Sequence, residues 1–465
     1  MTQRFDWVVI GAGPAGQKAA IQAAKAGYSV AIVERGSTVG GECVHRGTIP
    51  SKALRETARR YAIARPYRTG PEIDHVETPL ADLLGHVDDV IDGHVEYQTN
   101  QVTRNGVVLV RGQARFEDAH HLTVQGIREQ HTLTADHFVV ATGSVPRHPP
   151  GFPIDHERVL DSDSILGQPY LPRRLVVVGG GVVASEYATV FQRLGTEVTL
   201  IDKASRPLGF MDEDLTDRLL ADFRARGGTV FTEMTVVGVK TTFGQVDLEL
   251  LDGTTLEAET VLVALGRVAN VGPLGLEALG VELTNRGHVA VDERFRTSVP
   301  HILVVGDAIG FPALAATSMD QGRRAVRLAV GLDVEDTDHQ TPIGIYTMPE
   351  LASIGLTEAQ ALETHESVRV GIGDFSEIAR GRIADSEGML KLVTTASGQR
   401  ILGVHIVGNG ATELIHVGQM AMAGGLPPSV FVDSTFNFPT LAEAYRVAAF
   451  ALHKPTALRS ALAPA

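Results

Sequence analysis

The chain has 465 residues, 44% hydrophobic and 21% charged, a size that divides into about three domains. Its formal net charge of −14 argues against general binding to nucleic acid or to an anionic membrane surface and leaves room only for a local basic pocket. One cysteine excludes intrachain disulfides and thiolate-cluster metal sites, no apolar run reaches bilayer length and no signal-peptide pattern opens the chain, so a cytoplasmic setting without metal is expected.

Residues 6–16 read DWVVIGAGPAG, an apolar strand run entering Gly11-x-Gly13-x-x-Gly16. A helical stretch follows, QKAAIQAAKAGY, then a second apolar run, SVAIV, ending at Glu34. In such a unit the first glycine permits the tight turn and the second lets the backbone approach a pyrophosphate. The third keeps helix and strand close. The pyrophosphate rests on the helix N-terminus, where unpaired N–H groups and the helix dipole favour an anion. The acid at the second strand's tip accepts hydrogen bonds from ribose hydroxyls. Candidate contacts are Gly11, Gly13, Pro14, Ala15, Gly16, Glu34 and the adjacent Arg35.

Residues 40–54, GGECVHRGTIPSKAL, carry the one cysteine. Cys43 is either a reactive thiol, with His45 and Arg46 near enough to lower its pKa, or a small packing residue. Lys52 is either a charged group of the site or a solvated helix lysine. The run HFVVATGSVPRHP (137–149) is a strand closing on Thr142-Gly143.

The first pattern then repeats. Residues 174–184 read RLVVVGGGVVA, a strand entering Gly179-x-Gly181-x-x-Ala184. A helix follows (SEYATVFQRLGT), then EVTLI, ending at Asp202. In both copies the acid lies 23 residues after the first glycine. Two matched copies imply two dinucleotides. Asp202 suits the free ribose hydroxyls of NAD, whereas Lys203 and Arg206 either meet the 2′-phosphate of NADP or are ordinary surface charges. The run TVLVALGRVAN (260–270) closes on Gly266. HILVVGDAIG (301–310) ends in Gly306-Asp307, an acid placed for a sugar or ribityl hydroxyl or for a simple turn. Helical character returns at 314–331, and from about 341 the texture becomes that of a separate α+β domain with a loose tail, TALRSALAPA.

The chain resembles the pyridine nucleotide–disulfide oxidoreductases. The resemblance rests on GAGPAG with Glu34, GGEC…IPSKAL, ATGSVP, VVGGGVVASE, ALGR, VVGDAIG, YTMPELASIGLTE and FNFPTLAEAYR, all in family order. It implies an α/β fold with two Rossmann-like dinucleotide-binding domains and a C-terminal α+β domain that makes a homodimer. The expected division is 1–145 with 271–335 for FAD, 146–270 for NAD(P), and 341–465 for dimerisation. The resemblance further implies FAD contacts at Gly40, Gly41, Glu42, Cys43, Ala114 and Ala315. It pairs Lys52, near the flavin N5 edge, with Glu186 as catalytic residues.

Two departures matter. Disulfide-using members carry a second cysteine where this chain has Thr48, and a catalytic His where it has Phe438; Glu443, which would orient that His, remains. Thiol–disulfide exchange needs a second sulfur and an acid/base. The GTIPSKALRE, PIGIYT and FNFPT-x-AEAYR stretches are similar to those of the transhydrogenating branch, which implies NADPH and NAD⁺ exchanging hydride through FAD in ping-pong fashion. Lys52 and the helix beginning near Leu314 would stabilise the reduced flavin. Alternative readings are an NAD(P)H:quinone or dye reductase and a non-catalytic flavin-binding redox sensor.

Overall fold

The computed structural model describes residues 2–64, 79–85, 87–334 and 341–460. Residues 1, 65–78, 86, 335 and 461–465, which fall in the expected domain spans, lie outside the described residues.

The first nucleotide unit is built on a seven-stranded sheet. Its central strand, Thr2–Ile10, pairs in parallel with Val30–Glu34 on one side and with Gln130–Val140 on the other. Ile302–Val304 returns from far along the chain to pair in parallel with the end of Gln130–Val140. That return carries Gly306-Asp307 to the same sheet edge as the first glycine loop. Residues 30–33, Ile302–Val304 and the last residues of Thr2–Ile10 and Gln130–Val140 are apolar and buried, as strands covered on the sheet faces are. The helix Pro14–Lys25 packs against Ala315–Ala329, and at Gly322 an added Cβ would stand 2.1 Å from the Ala15 carbonyl oxygen. Trp7 is buried and stacks on His137, as a packing residue would.

The second unit has five parallel strands in the order Thr229–Phe231, Glu197–Ile201, Arg174–Val178, Thr260–Val263, Val159–Leu160. The helix Val182–Arg193 opens from its glycine loop. An antiparallel ribbon, Ser144–Pro146 against Arg267–Ala269, joins the two units.

The C-terminal unit is a six-stranded antiparallel sheet with the helices Ala411–Ala423 and Glu443–Ala451 packed against it. Gly371 and Gly373 let the second helix lie close: a Cβ there would meet the Ala448 and Ala444 carbonyls at 2.1 and 2.5 Å. The tail is not loose where it is described. Leu458–Ser460 adds an edge strand against Ser367–Arg369, whose unpaired edge offers it hydrogen bonds.

Candidate active site

The three units enclose a cleft of about 860 Å³. The first glycine loop contributes Gly11, Gly13, Pro14 and Ala15, and the strand tip contributes Glu34 and Arg35. Gly11 takes a positive φ of 102°, which glycine alone adopts without strain. Gly13 has only the Gly41 Cα near a built Cβ, at 3.8 Å, so its backbone is open to approach. The Glu34 carboxylate accepts hydrogen bonds from Ala12 N and Gly36 N, both at 2.8 Å. That arrangement fixes its direction and leaves lone pairs free. Gly16 and Gly40 do not line the cleft. A Cβ on Gly16 would stand 1.9 Å from the Gly11 carbonyl oxygen, so its smallness serves strand–helix packing. Gly40 turns the chain at φ 119°.

Gly41, Glu42 and Cys43 lie on the cleft wall, with Ala114, Thr142, Gly143, Gly306, Asp307 and Ala315 around it. Two buried polar atoms among them, Thr142 Oγ1 and Glu42 Oε2, have no hydrogen-bond partner, the second facing only the Arg46 guanidinium at 3.9 Å. Buried polar atoms are normally paired, so these two fit a polar ligand in the cleft. The helix Ala315–Ala329 opens its N-terminus there, with Leu314, Ala315 and Ala316 on the wall. An open helix N-terminus favours negative charge. This donor set fits FAD.

Thr48, where the resemblance implies a second sulfur, lies beside Cys43 and opposes the upward shift of its thiol. Burial pushes the Cys43 thiol above its ordinary value. His45 and Arg46, expected near enough to lower it, are engaged elsewhere. His45 Nε2 bonds the Val39 carbonyl at 2.9 Å, and Arg46 faces Glu42 at 3.9 Å. Cys43 is thus a partly buried thiol whose pKa burial raises, without those two neighbours to activate it.

Lys52 and Glu186 meet across the two nucleotide units. Lys52 Nζ donates to Glu186 Oε2 at 2.7 Å, and Glu186 Oε1 accepts from Tyr346 N at 2.8 Å. The ammonium also lies 5.0 Å from the Tyr346 ring centroid. Glu186 is thus held by groups from two other units, and it orients Lys52 towards the cleft.

A second network went unread in the sequence. Arg267 donates to Ser144 Oγ and Ser144 O, each at 2.8 Å, and to Ser162 Oγ at 3.0 Å and Asp163 Oδ1 at 3.2 Å. Ser144 in turn donates to Asp307 Oδ2 at 3.0 Å. The signal was available in ALGR, where an arginine follows Gly266, but its partners lie more than a hundred residues away.

The second glycine loop stands apart from the cleft wall, where Val182, Val183, Glu186 and Tyr187 represent its helix. Gly179 turns at φ 118° and Gly266 at φ 95°. Gly181 has no atom within 4 Å of a built Cβ, so its backbone is open, and Ala184 is fully buried. Asp202 Oδ1 accepts from Ala204 N at 3.3 Å. Lys203 is exposed. Arg206 is drawn to the helix Glu213–Ala225, bonding Thr216 Oγ1 at 3.0 Å and pairing with Asp217.

Phe438 is 68% exposed, and Glu443 Oε2 is buried without a hydrogen-bond partner. No described helix is long and apolar enough to cross a membrane, and no described cluster of His, Cys, Asp and Glu is built to hold a metal.

Residues 5–322 match the family described as pyridine nucleotide-disulphide oxidoreductase, and residues 341–449 match its dimerisation domain. A soluble pyridine nucleotide transhydrogenase of Mycobacterium bovis is 44% identical over 457 residues, covering 96% of this chain and 97% of that protein. One of Photobacterium profundum is 39% identical over 456 residues, with 96% of each covered. The solved structure of LpdA from Mycobacterium tuberculosis matches with a TM-score of 0.88 at 26% identity, covering 96% of this chain and 100% of that one. The HOCl-induced flavoprotein disulfide reductase RclA of Escherichia coli matches with a TM-score of 0.86 at 27% identity, covering 96% and 99%. With its fold, its glycine loops and this coverage in agreement, the chain belongs to the pyridine nucleotide-disulphide oxidoreductase family.

Proposed function

We propose that this protein is a soluble transhydrogenase, NADPH + NAD⁺ ⇌ NADP⁺ + NADH, working through FAD without a redox disulfide. The observation that carries the reading is the Lys52–Glu186 pair at the cleft, intact where the sulfur chemistry is gone: Thr48 faces Cys43, and Phe438 stands where an acid/base would. The similarity to transhydrogenases at 39–44% identity supports it.

FAD bound in the cleft supplies an acceptor and donor of hydride that two nicotinamides can use in turn. The residues proposed to hold it are those of the first glycine loop with Glu34, and Glu42, Thr142 and Asp307. Net exchange moves a hydride and no proton, so neither a second sulfur nor a C-terminal acid/base is required. Lys52 keeps a positive charge at the cleft, and Glu186 fixes where that charge points. The N-terminus of Ala315–Ala329 adds positive potential from its unpaired N–H groups. The second glycine loop, with Asp202, is proposed to take NAD and NADP alternately. We assign 1–145 with 271–335 to FAD, 146–270 to the nicotinamide nucleotides, and 341–465 to a homodimer contact.

The test is anaerobic. The holoenzyme is reduced with NADPH, NAD⁺ is added, and flavin absorbance and NADH are followed. Recovery of oxidised flavin with matching NADH supports the reading. Recovery only on adding a quinone would make it a reductase instead, and no reduction by either nucleotide would leave a flavin-binding sensor.

A further inference from the structure

The internal repeat provides its own control for coenzyme choice. In the first unit the residue between the two leading glycines is Ala12, and the acid is Glu34. In the second unit the same two places hold Gly180 and Asp202. Each acid is tied to the backbone two residues on, Glu34 to Gly36 N and Asp202 to Ala204 N.

The two pairs differ in size in a matched way. The Glu34 carboxylate accepts from Ala12 N at 2.8 Å with the Ala12 methyl in place. Asp202 is one methylene shorter and lies directly over Gly180. A Cβ on Gly180 would stand 1.8 Å from Asp202 Oδ2, 2.5 Å from its Cγ and 3.0 Å from its Cβ. Gly180 does not adopt the left-handed backbone that Gly179 does. The missing side chain is therefore a matter of room for Asp202 and not of backbone freedom.

Building on the transhydrogenase reading, we propose that Gly180 is a specificity-determining positioning residue. It lets the Asp202 carboxylate fold onto the glycine loop, tied like Glu34 to the amide two residues on, where it accepts hydrogen bonds from the free ribose hydroxyls of NAD. Gly180→Ala drives the carboxylate off the loop. NAD loses its charge-assisted hydrogen bonds, whereas NADP, which carries a phosphate on that ribose, does not depend on them. Gly180 with Asp202 and Ala12 with Glu34 are then two solutions to one steric problem. Asp202→Glu added to Gly180→Ala converts the second unit to the first solution.

The test measures NAD⁺ and NADP⁺ dissociation constants by calorimetry on the oxidised holoenzyme of the parent, Gly180→Ala and Gly180→Ala/Asp202→Glu, with flavin content as the folding control. The expected result for Gly180→Ala is NAD⁺ binding weakened about tenfold or more, the scale of a lost hydrogen bond to a charged group. NADP⁺ binding is expected to change much less, and the double variant to regain most of the NAD⁺ affinity. Unchanged NAD⁺ binding in Gly180→Ala overturns the proposal. Equal loss of both coenzymes without recovery in the double variant does so too, since that is loop damage. A parent that binds neither coenzyme also overturns it. Failure of the transhydrogenase reading is separately visible, as a parent that binds both coenzymes but exchanges no hydride between them.

Discussion

Cys43 sits at the cleft wall with Thr48 against it, and burial holds its thiol above the ordinary value of 9.0. Raising the pKa means the thiol stays protonated through neutral pH. Alkylation by iodoacetamide should accordingly keep accelerating as the pH climbs past 9, with no plateau near neutrality. Cys43→Ser should cost less than about tenfold in exchange rate, under about 1.4 kcal/mol of barrier. A much larger loss would return the sulfur to the mechanism. Lys52→Gln is expected to behave oppositely. Removing a charge aimed at a reacting centre typically costs about a hundredfold or more in rate, and the slow step should be flavin reduction seen by stopped flow, with flavin content unchanged. The sequence showed Cys43, Thr48, Lys52, Glu186 and Phe438 because each falls inside a short motif. It did not show that Tyr346 N holds Glu186, or that Arg267 ties Ser144 to Asp163, because those partners meet only when separate units pack.

Among the elements, the glycine-opened helices were legible from strand, turn and apolar period. Their close contacts were not. Pro14–Lys25 and Ala315–Ala329 approach so closely at Gly322 that any Cβ meets the Ala15 carbonyl. In sequence Gly322 looks like a mild defect in a helix. Gly322→Ala should gain the helix propensity of alanine and still destabilise the protein, by about 1–3 kcal/mol for an overpacked contact. Denaturant unfolding would show it, and a stabilised variant would refute the packing described. The tail strand Leu458–Ser460 was likewise hidden, since a short edge strand with exposed side chains has no apolar alternation to reveal it.

At the scale of the molecule, the second nucleotide unit is fastened to the C-terminal sheet by a buried charge cluster. Lys391 Nζ reaches Asp212 at 2.9 Å, Asp214 at 2.6 Å and Glu358 at 2.8 Å. Burial disfavours the Lys391 ammonium, but its three carboxylates outweigh that and raise it above its ordinary 10.5. Burial likewise opposes the Asp212 carboxylate, but the neighbouring His405 and Lys391 leave it below its ordinary 3.8. A raised lysine gives stability that is full below 10.5 and lost as pH rises further. A lowered carboxylate gives stability that is full above 3.8 and lost as pH falls further. The ion pairs should therefore hold across the whole range between, but His405, buried beside Asp212 and held below its ordinary 6.5 by that burial, makes parent stability fall as pH drops below 6.5. Lys391→Ala, which strands the one buried carboxylate, Asp212, while Asp214 and Glu358 keep access to water, should cost about 3 kcal/mol in urea unfolding at pH 7. The one cysteine, partly buried at the cleft wall, has a consequence at this scale too. Peroxides, hypochlorite and electrophiles disable enzymes chiefly through low-pKa thiolates. If exchange proceeds as proposed, with the one thiol of the chain held protonated and outside the chemistry, activity should survive thiol-selective oxidants that silence thiolate enzymes.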